Sequence, residues 1–530
     1  MISASVPAGR RARWRRSLPL LIVITVAAFL RLSHLDLIEF KSDEATAFNL
    51  TEDFARSGAV PATGMGSSTG VTNGPMLIYL LRAAFVFGRD PRWLSAFVAL
   101  TNVLATVLTY YLVAGWMGRR AGFVAAVALA VSPWAVLFSR KIWAQDLLLI
   151  FVVLLLLALD RAARRDRSRT VAAVPILLSV LWQLHYLAYA VFVATALTLP
   201  VSPGVRRLSW RWLGCGAAIG AAIAEPFLHH LYVSGFADVG RTAAFLHETA
   251  AGRHEPSSAA DIVRVAAVVA GGRNLEASFG ASFAPFLAAH PCAAHAAGFA
   301  QVAMWALIVF GALLLAVRVV WPRILGFSPN VDGRDVTPWL AAIWIAGPAL
   351  VCCAFHLHVA PCYFIVTFPL LFALFAAGAE GLFAAARRAP YGCARAAQAT
   401  VWLAIAAVAI GQIVFVLGCF SFLDGNGGAR GDYGVTYRHK AAAARFIVSQ
   451  STPGRPPSFA LRGFGGEGIG CLIDLESRKL ALGRSSSDGS IPPPETSPVF
   501  EIYDRFADGL PVDPPCSARR DFGPLIVCRK

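Results

Sequence analysis

About eleven stretches of this chain, at roughly 17–35, 92–116, 119–138, 144–160, 170–186, 187–204, 212–233, 298–320, 337–357, 359–380 and 398–423, are apolar over most of their length. Crossing a bilayer takes about 20 such residues in a helix. Inside hydrocarbon every backbone N–H and C=O must be paired within the protein, so runs like these fold as packed helices. The pattern predicts a polytopic α-helical membrane protein. Composition agrees, at 57% hydrophobic and 15% charged residues, where soluble chains run nearer half apolar and about a quarter charged.

The formal net charge of +16 does not point to nucleic acid, because the Arg residues cluster between apolar runs, as membrane topology requires. The opening stretch "RRARWRRSLPLLIVITVAAFL" has no small-residue cleavage site after it and reads as an uncleaved first span. Segment 74–88, "GPMLIYLLRAAFVFG", is too short to span and is interrupted by Arg82, so it reads as an amphipathic helix along the surface. With the N-terminus in the cytosol and 74–88 not crossing, the clusters at 119–120, 161–169, 206–211, 318–323 and 387–395 all fall inside. If 74–88 crossed, the later clusters would all move outside.

The outer face then carries the loop 36–91, a short loop around 138–146, a loop at 234–297 and the tail from Asp424. In that tail "SFALRGF", "VFEIYDR" and "GPLIVCRK" read as strands, and "GDYGVTYRHKAAAARFIVSQ" as a turn followed by a helix. The expected organisation is a membrane unit, 1–423, and a small extracytoplasmic α/β domain, 424–530. The ten Cys are scattered with no CxxC pair. Those in apolar runs read as small hydrophobes, while Cys471, Cys516 and Cys528 could pair in an oxidising compartment.

Ionisable groups gather at the outer ends of the runs. Asp43 and Glu44 follow the first span; they suit the first turn of a helix, and equally a general base beneath a roof made by the loop and 74–88. "SPWAVLFSRKIWAQD" sets Arg140 and Lys141, a pair suited to phosphate, just before Asp146. His185 and Tyr186 lie at one helix end. Glu225 precedes Pro226 within another run, with His229 and His230 beyond; Glu225 with one His is a conceivable divalent-metal pair, and no other cofactor is evident. His356, His358 and Tyr363 form an outer turn in "FHLHVAPCYFIVTFP".

One span, an outer loop with an Asp-Glu pair, a short "GP" amphipathic segment, "SPWAVLFSRKIWAQD", "LHY" and "APCYFIVTFP", in that order on one face, resemble the GT-C glycosyltransferases. The similarity is to the family of protein O-mannosyltransferases and the lipid A aminoarabinose transferase, over about 17–423. The resemblance implies an inverting transfer of a sugar from a polyprenyl-phosphate carrier to a protein, lipid or glycan acceptor, in a bacterial-type plasma membrane. It implies Asp43 as base, Glu44 as its support, Asp146 as the second-loop acid, and Arg140 with Lys141 beside the phosphate. His185, Tyr186, Glu225, His356, His358 and Tyr363 would line the pocket. One departure stands out: where the family often has an Arg before the Tyr of the late outer turn, this chain has Cys362, so His356 or His358 would have to replace it. A secondary transporter would show internal repeats and polar groups at mid-bilayer, and a scaffold would leave the outer acids unexplained.

Overall fold

The computed structural model describes residues 8–67, 70–164, 169–201, 209–250, 258–324, 337–354, 359–390, 392–451, 457–462, 466–484, 499–507, 510 and 514–529. Helix α1 (Ala8–Leu32) ends in a 3-10 turn (Leu35–Leu37) and is followed by α2 (Ser42–Ser57) and α3 (Met76–Ala84). At about 1.5 Å per residue, the nine residues of α3 cannot cross a core about 30 Å thick. Next come α4 (Pro91–Met117), α5 (Arg119–Val131), α6 (Pro133–Phe138) and α7 (Ala144–Arg164).

Local chemistry sets these boundaries. Asp90 caps α4 by accepting the Arg92 N–H at 2.9 Å, with Pro91 in the first turn. The 119–138 run is split because Pro133 has no N–H to continue α5. Helices α8 (Ala173–Leu184) and α9 (Ala188–Val201) are likewise separated by a break at His185.

The chain continues through α10 (Trp210–Val233) into four helices of the 234–297 region: α11 (Ala237–Ala250), α12 (Ala259–Gly271), α13 (Glu276–Phe279) and α14 (Phe283–Ala289). Then come α15 (Pro291–Ile324), α16 (Thr337–Ala354), a 3-10 segment (Pro361–Thr367), α17 (Phe368–Arg387) and α18 (Ala394–Asn426). Helix α17 is central and almost wholly buried. It meets α15 through Gly311 and Gly378, where a Cβ would lie 2.0 Å from the Leu374 oxygen and 2.2 Å from the Leu307 oxygen. Small residues of this kind let membrane helices approach backbone to backbone. Leu313, Val302, Leu403 and Ile410 point outward and are exposed, a costly arrangement in water and the ordinary one against lipid.

Among the described residues, four helices are long and apolar enough to cross a membrane: Pro91–Met117, Pro291–Val317, Pro361–Arg387 and Ala394–Asn426. Helix length and composition therefore do not by themselves give eleven spans. The expected 119–138 run is broken at Pro133, and others form shorter apolar helices such as Leu18–Leu32 and Ala342–Cys353.

Beyond α18, a two-strand hairpin, β1 (Gly428–Ala429) and β2 (Gly434–Val435), leads to α19 (Tyr437–Ser449). The remaining elements are β3 (Ser458–Arg462), α20 (Gly466–Arg484), β4 (Val499–Asp504), β5 (Ala518–Phe522) and β6 (Leu525–Arg529). The sheet order is β3-β4-β6-β5, with β3 parallel to β4 and the other pairs antiparallel. Cys516 and Cys528 form a disulfide, while Cys471 is a buried free thiol. This tail is tied to the loop after α1: the Tyr437 N–H donates to the Ile38 oxygen at 2.7 Å, and Lys440 Nζ donates to the Glu39 and Phe40 oxygens at 2.9 and 3.0 Å.

Candidate active site

Helix α2 starts immediately after Lys41, whose backbone N–H donates to Glu44 Oε2 at 3.1 Å. Glu44 thus caps its own helix and is buried, whereas Asp43 projects from the same turn and is exposed. The desolvation expected of Asp43 falls instead on its neighbour. After α2 the Gly-rich stretch folds back on itself: Gly64 donates to Asn73 and Asn73 donates to Met65, at 2.8 and 3.0 Å, with Gly66 bridged to Thr72. This hairpin and α3 roof a cavity of about 270 Å³.

Asp43 lines that cavity with Asn73, Trp143, His185, Tyr186 and Tyr363. Four separate parts of the chain therefore meet there: the region from α2 to α3, the loop before α7, the α8–α9 break and the 3-10 segment before α17. The Tyr186 and Tyr363 hydroxyls touch. The His185 ring lies 4.0 Å from that of Tyr186, and its Nδ1 accepts the Leu187 N–H at 3.1 Å, leaving Nε2 to carry the proton of a neutral ring. Cys362 is buried and also contributes to the wall.

The hairpin is seated by Gly74, where a Cβ would stand 2.7 Å from Gln183 Cβ and 2.8 Å from its Cα. Gly74→Ala is expected to cost about 1–3 kcal/mol, as overpacking does, and to lift the roof from α8. Thermal unfolding and steady-state turnover would both register it; a variant that behaves like the parent would show that this contact is not needed.

Behind the cavity lies a cluster of charges. Lys141 Nζ is 2.7 Å from Glu39 Oε1, and Lys41 Nζ is 3.2 Å from Glu39 Oε2. Both lysines also face Asp432, on the β1–β2 hairpin, at 2.6 Å from Lys41 and 3.5 Å from Lys141. Burial works against the charge of Lys141, but Glu39 and then Asp432 outweigh it and hold the ammonium above the ordinary lysine range. Burial likewise opposes ionisation of Asp432, while Lys141 and Lys41 keep its carboxyl below the usual range. The two ammonium groups stand 4.2 and 5.6 Å from the centre of the Trp143 ring, which itself lines the cavity.

Arg140 and Lys141 are neighbours in sequence but not in role. Arg140 is buried, its guanidinium donates to the Arg31 oxygen at 3.1 Å and to the Ser33 and His34 oxygens, and it packs 4.5 Å over the Phe420 ring. It closes the end of α1, whose last carbonyls have no helical partner. Asp146 is buried at the start of α7, and neither carboxylate oxygen has a hydrogen-bond partner among the described residues. It is not part of the cavity lining, but lies close enough to Lys141, Glu44 and Glu39 to interact electrostatically with them. Glu225 is exposed on α10 and outside the lining. His356 and His358 lie outside the described residues. Among the described residues no three His, Cys, Asp or Glu side chains form a group able to hold a metal.

Glu39, Lys41, Trp143, Asn73 and Asp432 were not singled out from the sequence. Charges at the end of an apolar run were a usable signal for Glu39 and Lys41. Asp432 sits in an unremarkable turn, "GARGDYGV", and only the fold brings it to the lysines.

Residues 72–230 match the model of the family described as dolichyl-phosphate-mannose-protein mannosyltransferase. No curated protein matches the sequence. The structure is similar to that of ArnT from Cupriavidus metallidurans bound to undecaprenyl phosphate, with 13% identity and a TM-score of 0.54, covering 97% of this chain and 98% of that one. Against the same protein in its apo state the values are 14%, 0.53, 96% and 97%. The archaeal oligosaccharyltransferase AglB from Archaeoglobus fulgidus is 14% identical, with a TM-score of 0.48 over 93% of this chain and 70% of that one. The chain shares the fold of ArnT, and residues 72–230 match the dolichyl-phosphate-mannose-protein mannosyltransferase model.

Proposed function

We propose that this protein is an inverting glycosyltransferase that moves a sugar from a polyprenyl-phosphate carrier to an acceptor hydroxyl at the outer membrane face. The observation that carries this reading is the roofed cavity, with the Asp43 carboxylate at its wall and two lysines behind Trp143. ArnT, which shares the fold, has been solved with undecaprenyl phosphate bound.

In this reading Asp43 takes the proton of the acceptor hydroxyl as its oxygen bonds to the anomeric carbon. The bond from that carbon to the phosphate oxygen breaks, and the electron pair leaves with the phosphate. Attack opposite the leaving group inverts the anomeric configuration. The leaving phosphate gains negative charge and is already a weak base, so it needs a nearby cation more than a proton. Lys141 supplies that cation, and Arg140 holds the end of α1 so that the lysine loop keeps its position. With Cys362 where relatives often have Arg, the positive charge comes from the lysines instead. Asp146, buried without a hydrogen-bond partner among the described residues, adds negative charge beside Lys141. His185, Tyr186 and Tyr363 offer ring faces and polar tips suited to a sugar.

The reading includes a membrane unit, 1–423, with about eleven spans, α3 lying along the outer face, a cytosolic N-terminus and an extracytoplasmic tail from 424 in a bacterial-type plasma membrane. The Cys516–Cys528 disulfide supports that sidedness, since disulfides persist outside the cytosol. A reporter fused after Lys530 is expected to register on the non-cytosolic side, and a cytosolic signal would reverse the assignment.

The chemistry is tested by incubating the purified protein with a panel of polyprenyl-phosphate sugars and candidate acceptors. Release of free polyprenyl phosphate, read by mass spectrometry, is the expected result. Absence of release with every donor would overturn the reading.

A further inference from the structure

Asp432 is the most exposed member of the charge cluster. Its side chain is 49% exposed, against 12% for Lys41 and 3% for Lys141. Its two carboxylate oxygens are divided between the lysines: Oδ1 faces Lys41 and Oδ2 faces Lys141. With Glu39 behind them, two cations meet two anions, and the formal charges cancel.

We propose that Asp432 is the resting occupant of an anion seat formed by Lys41 and Lys141, and that the phosphate of the lipid-linked donor displaces it. This rests on the glycosyl-transfer reading and deepens it. A phosphodiester bears one negative charge and, like a carboxylate, presents two oxygens to paired donors. Exchanging one for the other leaves the cluster neutral. When the sugar departs, the phosphate takes up further negative charge, and the two ammonium groups are already beside it.

The exchange needs no movement of the hairpin. The Tyr433 N–H donates to the Ser278 oxygen at 2.8 Å, the Arg430 N–H donates to Ser282 Oγ at 2.7 Å, and the Tyr433 hydroxyl donates to the Leu37 oxygen. Gly431 is packed so closely on Gly280 that a Cβ would lie 2.7 Å from the Gly280 nitrogen. The backbone is therefore clamped, and only the Asp432 side chain has to rotate toward water. Lys41 also donates to the Asp432 backbone oxygen, so it stays in place when the carboxylate leaves. Glu39, buried with both lysines against it, cannot make the same exit. The device also discriminates: a carrier alcohol without phosphate has nothing with which to replace the carboxylate.

The test uses the full-length protein in detergent and undecaprenyl phosphate as the probe, with undecaprenol as the phosphate-free control. Binding is measured for the parent, Asp432→Asn, Asp432→Ser and Asp432→Glu. If the carboxylate fills the seat about nine-tenths of the time, Asp432→Asn and Asp432→Ser are expected to bind the phosphate about tenfold more tightly. Asp432→Glu is expected to remain near the parent, and undecaprenol to show no difference among the four. Loss of a merely structural contact would not tighten binding. Equal or weaker binding by both neutral variants would overturn the resident-anion proposal, while release of polyprenyl phosphate from sugar donors by the parent would leave glycosyl transfer standing. Undecaprenyl phosphate that binds none of the four proteins would count against both.

Discussion

Asp43→Asn is expected to lower turnover by about 10²–10⁴-fold, the range that removal of a general base commonly costs. The substitution keeps the shape of the side chain and removes its ability to take a proton. Asp43 lies in the first turn of α2, where a negative charge stabilises the helix by about 0.3–1 kcal/mol, so the fold should survive. Glu44, not Asp43, caps the helix. The expected signature is a fallen kcat with donor binding retained and a thermal unfolding midpoint close to the parent's. Full turnover by the variant would remove Asp43 from the chemistry and turn attention to Asp146, the other acid near the lysines.

Lys141→Gln is expected to do more harm to stability than any exposed charge in the protein. Lys141 and Glu39 are both buried and 2.7 Å apart. Removing one partner of such a pair typically costs about 3–5 kcal/mol, because the other charge remains without compensation. Lys41 also touches Glu39, which places the expectation at the lower end of that range. Donor binding should fall in parallel. A double-variant cycle separates the pair from the rest: Glu39→Gln with Lys141→Gln should cost less than the two single changes together, by about 0.5–3 kcal/mol. Additive costs would show that the two charges are not coupled. Arg140→Gln makes the contrast, since its expected loss is in the anchoring of α1 rather than in affinity for phosphate. The surface contacts of Arg438 with Asp36 and Asp424 should matter little, as exposed pairs contribute about 0–1 kcal/mol.

The sequence was most legible where a single physical requirement acts along a short stretch. Apolar length marked the helical membrane part, and the shortness of 74–88 marked a helix that does not cross. Short β-prone apolar runs marked β3, β4 and β6. This signal missed β5, "ARRDF", because a charged edge strand has no apolar face to reveal it. It also missed α20, whose pattern is diluted by three glycines near its start. The break at Pro133 turns one expected continuous run into two shorter helices, while the break at His185 falls at the expected boundary between the 170–186 and 187–204 runs. Adjacency was a poor guide to contacts: Arg140 and Lys141, read together as phosphate-binding, meet different partners, the end of α1 for one and Glu39 with Asp432 for the other, because the chain is leaving α6.

By itself, then, the sequence determined the solvent this chain folds in, the helical answer to it, and the clustering of acids and bases at the ends of its apolar runs. Those follow from hydrophobicity and backbone pairing, which act over a turn or two of chain. Only the tertiary structure decided that Lys41, Lys141, Glu39 and Asp432 meet behind Trp143. Charges nearly four hundred residues apart interact only after packing has brought them together and removed the water between them.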